Sequence, residues 1–275
     1  MPDRKLAVVT GASTGIGREL ARCAAEDGCD LVICANEPIL EEAARDLRDL
    51  GVQVDVVQVD LSTEDGIVAL TDQIGTREVD YLMANAGITL GHAFVDQGWL
   101  DIRELLGLNV VGTTQLLHRV LPRMKLRGEG RVLVTGSIAG FIPGSYQAVY
   151  NASKAYLDSL SFALNDELKE HGVTVTCLMP GPVDTEVFRR GDMEDSPMGK
   201  TSLKDTPEHT ARLGYEAMKA GRAGMTPGLM NKLITTFAGV IPETVLARMN
   251  RWMSETDEDK QKSSCVPTAL PSTAL

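Results

Sequence analysis

Two hydrophobic rhythms take turns along this chain. Short, largely apolar runs (Leu6 to Thr10, Leu31 to Ala35, Tyr81 to Ala84, Arg131 to Val134 and Val173 to Met179) have the length and content of strands buried on both faces. Val52 to Val59 alternates and is mostly valine, which predicts one more. Between these runs, apolar residues recur at three and four: Ile16, Leu20, Cys23 and Ala24 predict a helix over 15–27. A second helix starts near Pro38 and stops before Gly51, and long helical patterns cover about 98–126 and 147–171. Ser62, with Asp65 three residues on, reads as an imperfect capping box for another. Strands alternating with helices in this way predict an α/β fold: a doubly wound parallel sheet with right-handed crossovers. One domain spans 1–253, and 254–275, rich in Ser, Thr, Pro and charge, reads as a disordered tail.

Composition narrows the function classes. A net charge of −11 argues against a nucleic-acid binder and against adsorption to anionic lipid. The start, Met1-Pro2-Asp3-Arg4-Lys5, lacks the series of a signal peptide. No window reaches the roughly 18 apolar residues of a membrane span, so the expectation is a cytoplasmic protein. Five cysteines without Cys-x-x-Cys spacing, and histidines at 92, 118, 171 and 209, imply reduced thiols and no metal site. Cys29 and Cys34, five apart about a strand, are expected on opposite faces.

The chemistry gathers where strands end. After the first strand comes Thr10-Gly11-Ala12-Ser13-Thr14-Gly15-Ile16-Gly17. Gly11 suits a tight turn, Gly15 the close approach of a pyrophosphate and Gly17 close helix–sheet packing, with the first-turn N–H groups facing the phosphates. Asn85-Ala86-Gly87 follows the fourth strand, Ser137 the fifth, and Tyr150-Asn151-Ala152-Ser153-Lys154 opens a long helix. Tyr150 and Lys154 are four apart and share a helix face. An ammonium beside a phenol, whose ordinary pKa is about 10, is expected to lower it and make an acid/base of it.

This order of motifs, from about Lys5 to Thr185, resembles the short-chain dehydrogenase/reductase family. The resemblance implies a Rossmann-type sheet of about seven strands in order 3-2-1-4-5-6-7 and hydride exchange between NAD or NADP and an alcohol or carbonyl carbon. It implies Tyr150 as acid/base, Ser137 holding the substrate oxygen, Lys154 on the nicotinamide ribose, and Asn109 ordering a water behind the lysine. It also implies a cofactor contact from Asp60, with Leu61, to the adenine. Asn85, Ala86 and Gly87 would lie at the adenosine ribose, and Pro180, Gly181, Val183 and Thr185 at the nicotinamide. Ala84 departs from the family's usual asparagine, which puts a strand-bracing hydrogen bond in question. Asn36-Glu37 beyond the second strand, with Thr14 in the loop and no nearby cation, favours NAD slightly over NADP.

Residues 186–207 match the family's variable substrate loop and are expected to form a lid. Leu229, Met230, Leu233, Ile234, Phe237 and Ile241 make an apolar stripe that reads as core, substrate wall or subunit contact. A homodimer or homotetramer through the two long helices is expected from the resemblance. The leading activity is interconversion of a secondary alcohol and a ketone, or of a primary alcohol and an aldehyde. Reduction of a 3-oxoacyl thioester is the enzymatic alternative, and a non-catalytic NAD(P) sensor the alternative of another class.

Overall fold

A computed structural model describes residues 4–201, 204–228, 231–232 and 241–264. Seven parallel strands lie in the order β3-β2-β1-β4-β5-β6-β7. They are β1 (Leu6–Thr10), β2 (Asp30–Ala35), β3 (Val54–Gln58), β4 (Tyr81–Ala84), β5 (Gly130–Thr135), β6 (Val173–Leu178) and β7 (Gly224–Met225). The order expected from the family resemblance is the one observed.

Strand side chains alternate between two cores. Leu6, Val8, Leu82, Val132 and Val175 face one layer, with α3 (Glu64–Ile74), α5 (Thr113–Arg127) and α6 (Ala148–Leu168). Ala7, Val9, Ile33, Met83 and Leu133 face the other, with α1 (Gly15–Glu26), α2 (Leu40–Arg48) and α9 (Pro207–Lys219). Both faces are covered, which is why these strands read as unbroken apolar runs. Cys29 and Cys34 fall in opposite cores, as their spacing predicts. Strand order reverses between β1 and β4, and a crevice opens there at the carboxyl ends of the strands.

Four local readings change. Asp60 accepts the Ser62 N–H at 2.8 Å, which moves the cap of α3 to Thr63, whose hydroxyl accepts from Gly66 N–H at 3.1 Å. The long pattern at 98–126 is α4 (Trp99–Leu106), a π-helical turn (Gly107–Gly112) and then α5. The wide turn passes close to a neighbouring loop: a Cβ on Gly112 would stand 2.1 Å from the Leu61 carbonyl oxygen. The 186–207 segment carries α7 (Val187–Arg190) and α8 (Pro197–Lys200), with Met193 fully buried. Finally, the expected disordered tail is in part a helix, Asp257–Ser264. Thr256 and Asp259 cap each other, and the Asp259 carboxylate pairs with His92 at 3.2 Å, so polar bonds secure a segment whose composition reads as unstructured. Residues 265–275, with Cys265, lie outside the described residues, as does the apolar stripe apart from Ile241.

Candidate active site

The glycine loop is built for close approach. Gly11, at φ +66°, turns the chain off β1, and its N–H donates to the Cys34 carbonyl at 2.7 Å. At Gly17 a Cβ would stand 2.0 Å from the Gly11 carbonyl oxygen, so only glycine lets α1 begin there. The N-cap of α1, Thr14, makes no side-chain cap, and no acidic residue sits in the first turn. Its amide groups and its dipole are thereby left for an anion, and a dinucleotide pyrophosphate fits them.

Ser13, Thr14, Gly15, Ile16, Asn36, Asp60, Leu61, Ala86 and Gly87 line the crevice, as do Pro180, Gly181, Val183 and Thr185. Gly17 lies beneath it and Asn109 behind it. Asn85 reaches its wall, yet its carboxamide turns into the sheet. There it donates to the Thr10 carbonyl at 3.2 Å and accepts from the Thr135 hydroxyl at 3.0 Å. Asn85 thus braces β1, β4 and β5, the bond that Ala84 had put in question.

Ser137, Tyr150 and Lys154 meet at the same crevice. α6 presents Tyr150 and Lys154 on one face, with the ammonium 5.8 Å from the ring centre. Lys154, 5% exposed, donates to the Thr135 carbonyl at 2.8 Å. Ser137 caps the turn after β5 by accepting from Ala139 N–H at 3.1 Å, and its hydroxyl lies near enough to the Tyr150 phenol to pull that group's pKa down. Asn109 is fully buried in the π turn. It bonds both backbone groups of Ile88 at 2.9 Å and donates to the Ser153 hydroxyl at 3.1 Å, clamping α6 to the strand-four turn.

Burial dominates the electrostatics of this pair in the protein alone. Tyr150 keeps some solvent contact, but desolvation of its hydroxyl pushes it up to about 12; the Ser137 bond pulls it down and the Asp158 charge adds to the rise. Burial brings Lys154 down to about 8, against the pull of Asp158. Desolvation is the largest influence on the phenol and holds it above its ordinary value.

Three features were missed in the sequence. Arg190 in the lid region pairs with Glu37 at 2.6 Å, and Glu37 also accepts from the Ser13 hydroxyl, so a cation does stand at the crevice after all. Only the folded loop brings residues so distant in sequence together. Gln147 joins Thr89, Met193 and Ser254 from three segments. Asp158 lies against the Ser137 turn, and its spacing of four from Lys154 was the available signal.

The sequence profile described as short chain dehydrogenase matches residues 5–195. Human 17-beta-hydroxysteroid dehydrogenase type 1 is 35% identical over 194 residues, 68% of this chain and 59% of the human enzyme. A short-chain dehydrogenase from Sphingobium yanoikuyae in complex with NADPH has a TM-score of 0.77 at 27% identity, covering 97% of this chain and 98% of that one. The bulky-bulky ketone specific alcohol dehydrogenase from Comamonas testosteroni has a TM-score of 0.74 at 26% identity, covering 86% and 93%. With its strand order, glycine loop and Ser–Tyr–Lys set, the chain belongs to the short chain dehydrogenase family, a family of oxidoreductases.

Proposed function

We propose that this protein interconverts a secondary alcohol and a ketone, with Tyr150 as the acid/base and NAD or NADP as the redox partner. One observation carries the reading: Ser137 and Lys154, from different elements, converge on Tyr150 in a crevice that the glycine loop also lines. A bound nicotinamide dinucleotide supplies or accepts the hydride. Its pyrophosphate fits the uncapped N-terminus of α1; Thr185, packed against Gly15, and Val183 line the crevice where its nicotinamide end would be held.

The residues divide the remaining work. Ser137 holds the substrate oxygen against Tyr150 by hydrogen bonding. In reduction the Tyr150 hydroxyl gives its proton to that oxygen; in oxidation the phenolate takes it back. Lys154, mostly ammonium at neutral pH, stabilises the phenolate once it forms and binds the nicotinamide ribose. Asn109 fixes the height of α6 and with it both groups.

The substrate is a bulky apolar carbonyl compound. That choice rests on the steroid and bulky-ketone relatives. Residues 186–207 act as the lid. Glu37 favours NAD by accepting from a ribose hydroxyl, whereas Arg190 offers a partner to a 2′-phosphate. Exposed Trp99, Leu100, Val111, Tyr156 and Phe162 on the helices from α4 to α6 support a homo-oligomer through that face. No helix among the described residues is long and apolar enough to cross a membrane, and a cytoplasmic location remains part of this proposal.

The test is nicotinamide absorbance with NADH and NADPH against a panel of bulky ketones, and with NAD and NADP against the matching alcohols. Turnover of a ketone supports the proposal. Tight cofactor binding with no turnover across the panel contradicts it.

A further inference from the structure

Asp158 sits one turn beyond Lys154 and two beyond Tyr150 on α6, and is 5% exposed. Its Oδ1 accepts the backbone N–H of Ser137 at 3.3 Å and the thiol of Cys177 at 3.2 Å. Its Oδ2 is buried with no hydrogen-bond partner among the described residues. The turn after β5 closes around this carboxyl group. A Cβ on Gly136 would stand 1.8 Å from Oδ1, and one on Gly140 would stand 2.2 Å from Oδ2. Both glycines of the Gly136-Ser137-Ile138-Ala139-Gly140 turn are thus explained by the side chain they enclose.

An apolar side chain would fill the same space without the desolvation cost of a carboxyl group and its orphaned oxygen. That cost is visible: burial pushes Asp158 up to about 6, while Cys177, Lys154 and the Ser137 N–H pull it down. The group is placed where its bond reaches one catalytic residue and its charge reaches two others.

We propose that Asp158 is a positioning residue of the reaction, holding the Ser137 turn so that the Ser137 hydroxyl stays against Tyr150. The inference rests on the catalytic roles assigned above to those two residues. Ser137 is then held at both ends, its N–H by Asp158 and its hydroxyl by Ala139 N–H and the Pro180 carbonyl at 3.4 Å. Without Asp158 the backbone anchor is lost and the hydroxyl drifts from the place where it meets the substrate oxygen.

The experiment compares wild type, Asp158→Ala, Asp158→Asn, Ser137→Ala and the Asp158→Ala/Ser137→Ala double variant. Each is assayed for ketone reduction and, by nicotinamide fluorescence, for cofactor affinity. Asp158→Ala is expected to lower kcat about 10- to 100-fold, the scale of an ångström of misplacement, with cofactor affinity held within about twofold. Asp158→Asn keeps an acceptor for the Ser137 N–H and recovers most of the rate. The double variant is no slower than Ser137→Ala by more than about threefold, because both changes remove one contribution. Should Asp158→Ala not fold, Asp158→Ser, too short to reach Ser137, takes its place. Wild-type kcat in the folded variant, or losses that multiply in the double variant, would overturn the proposal. So would a crystal structure of the variant with an unmoved Ser137 turn, a result that needs no turnover. Tyr150→Phe, run alongside, separates the two claims: a wild-type rate there sinks the acid/base reading and leaves the crystallographic test of Asp158 in force.

Discussion

Arg190 reaches from the lid region to Glu37 at the end of β2, 2.6 Å away, across the crevice mouth. A residue of the 186–207 segment thereby touches the carboxylate proposed above to meet the cofactor's ribose. Both side chains are partly exposed, so the pair itself contributes little to stability. Its consequence is for selectivity.

Glu37→Ala removes a carboxylate that repels a 2′-phosphate, and is expected to raise the preference for NADP over NAD about tenfold, or 1.4 kcal/mol. Arg190→Ala is expected to lower it, because the phosphate loses its cation. The ratio of kcat/KM for the two cofactors measures both. Identical ratios in wild type and both variants would remove these residues from cofactor selection.

Asn109 is a structural clamp as well as an expected member of the site. Asn109→Ala leaves both backbone groups of Ile88 without their partner and takes a donor from the Ser153 hydroxyl, which still donates to the Tyr150 carbonyl at 2.7 Å. The expected loss is about 2–4 kcal/mol of stability, since buried polar groups without partners cost about 1–3 kcal/mol each. Denaturant unfolding reads this directly, and a loss under about 0.5 kcal/mol would contradict the clamp.

Gln147 predicts a different kind of effect. Its amide donates to Thr89 at 3.3 Å and Met193 at 3.0 Å and accepts from Ser254 at 3.0 Å, three residues before the reacting phenol. Gln147→Ala unties the lid and the Glu243–Ser254 helix from the start of α6. The substrate KM is expected to rise about 5- to 10-fold with a smaller fall in kcat, the pattern of lost binding rather than lost chemistry. An unchanged KM would mean that the lid closes without this residue.

The legibility of the chain followed the range of the interactions. β1, β2, β4, β5 and β6 were readable because burial on both faces gives them a local apolar pattern, and Ser137, Tyr150 and Lys154 because each sits at a strand end or a helix start. β7 is two residues long and carries no pattern of its own. The π turn was hidden because the apolar period runs through it, and only the packing of Gly112 on Leu61 betrays it. Arg190 and Gln147 act through contacts between segments far apart in sequence, whose geometry no local pattern records, and Asp158 offered only its spacing of four from Lys154. The 257–264 helix had a cap in plain view, Thr256 with Asp259, but its charge content outweighed that signal.

Stability should also carry the mark of Asp158. Its folded-state pKa, about 6, lies above the ordinary carboxylate value near 3.9. Between those values the folded protein binds more protons than the unfolded chain, so stability falls as pH rises from about 4 to about 6. Asp158→Asn is expected to flatten this part of the profile. Denaturant midpoints across that range, in wild type and variant, decide it; parallel profiles would count against the buried, strained carboxyl.

The central claim is that Tyr150 moves the proton. The most direct measurement is ketone reduction by wild type and Tyr150→Phe, with cofactor affinity measured on the same samples. A loss of about 10²- to 10⁴-fold in kcat, with cofactor affinity kept within about threefold, is the predicted result. A Tyr150→Phe enzyme that reduces the ketone at the wild-type rate would contradict the account.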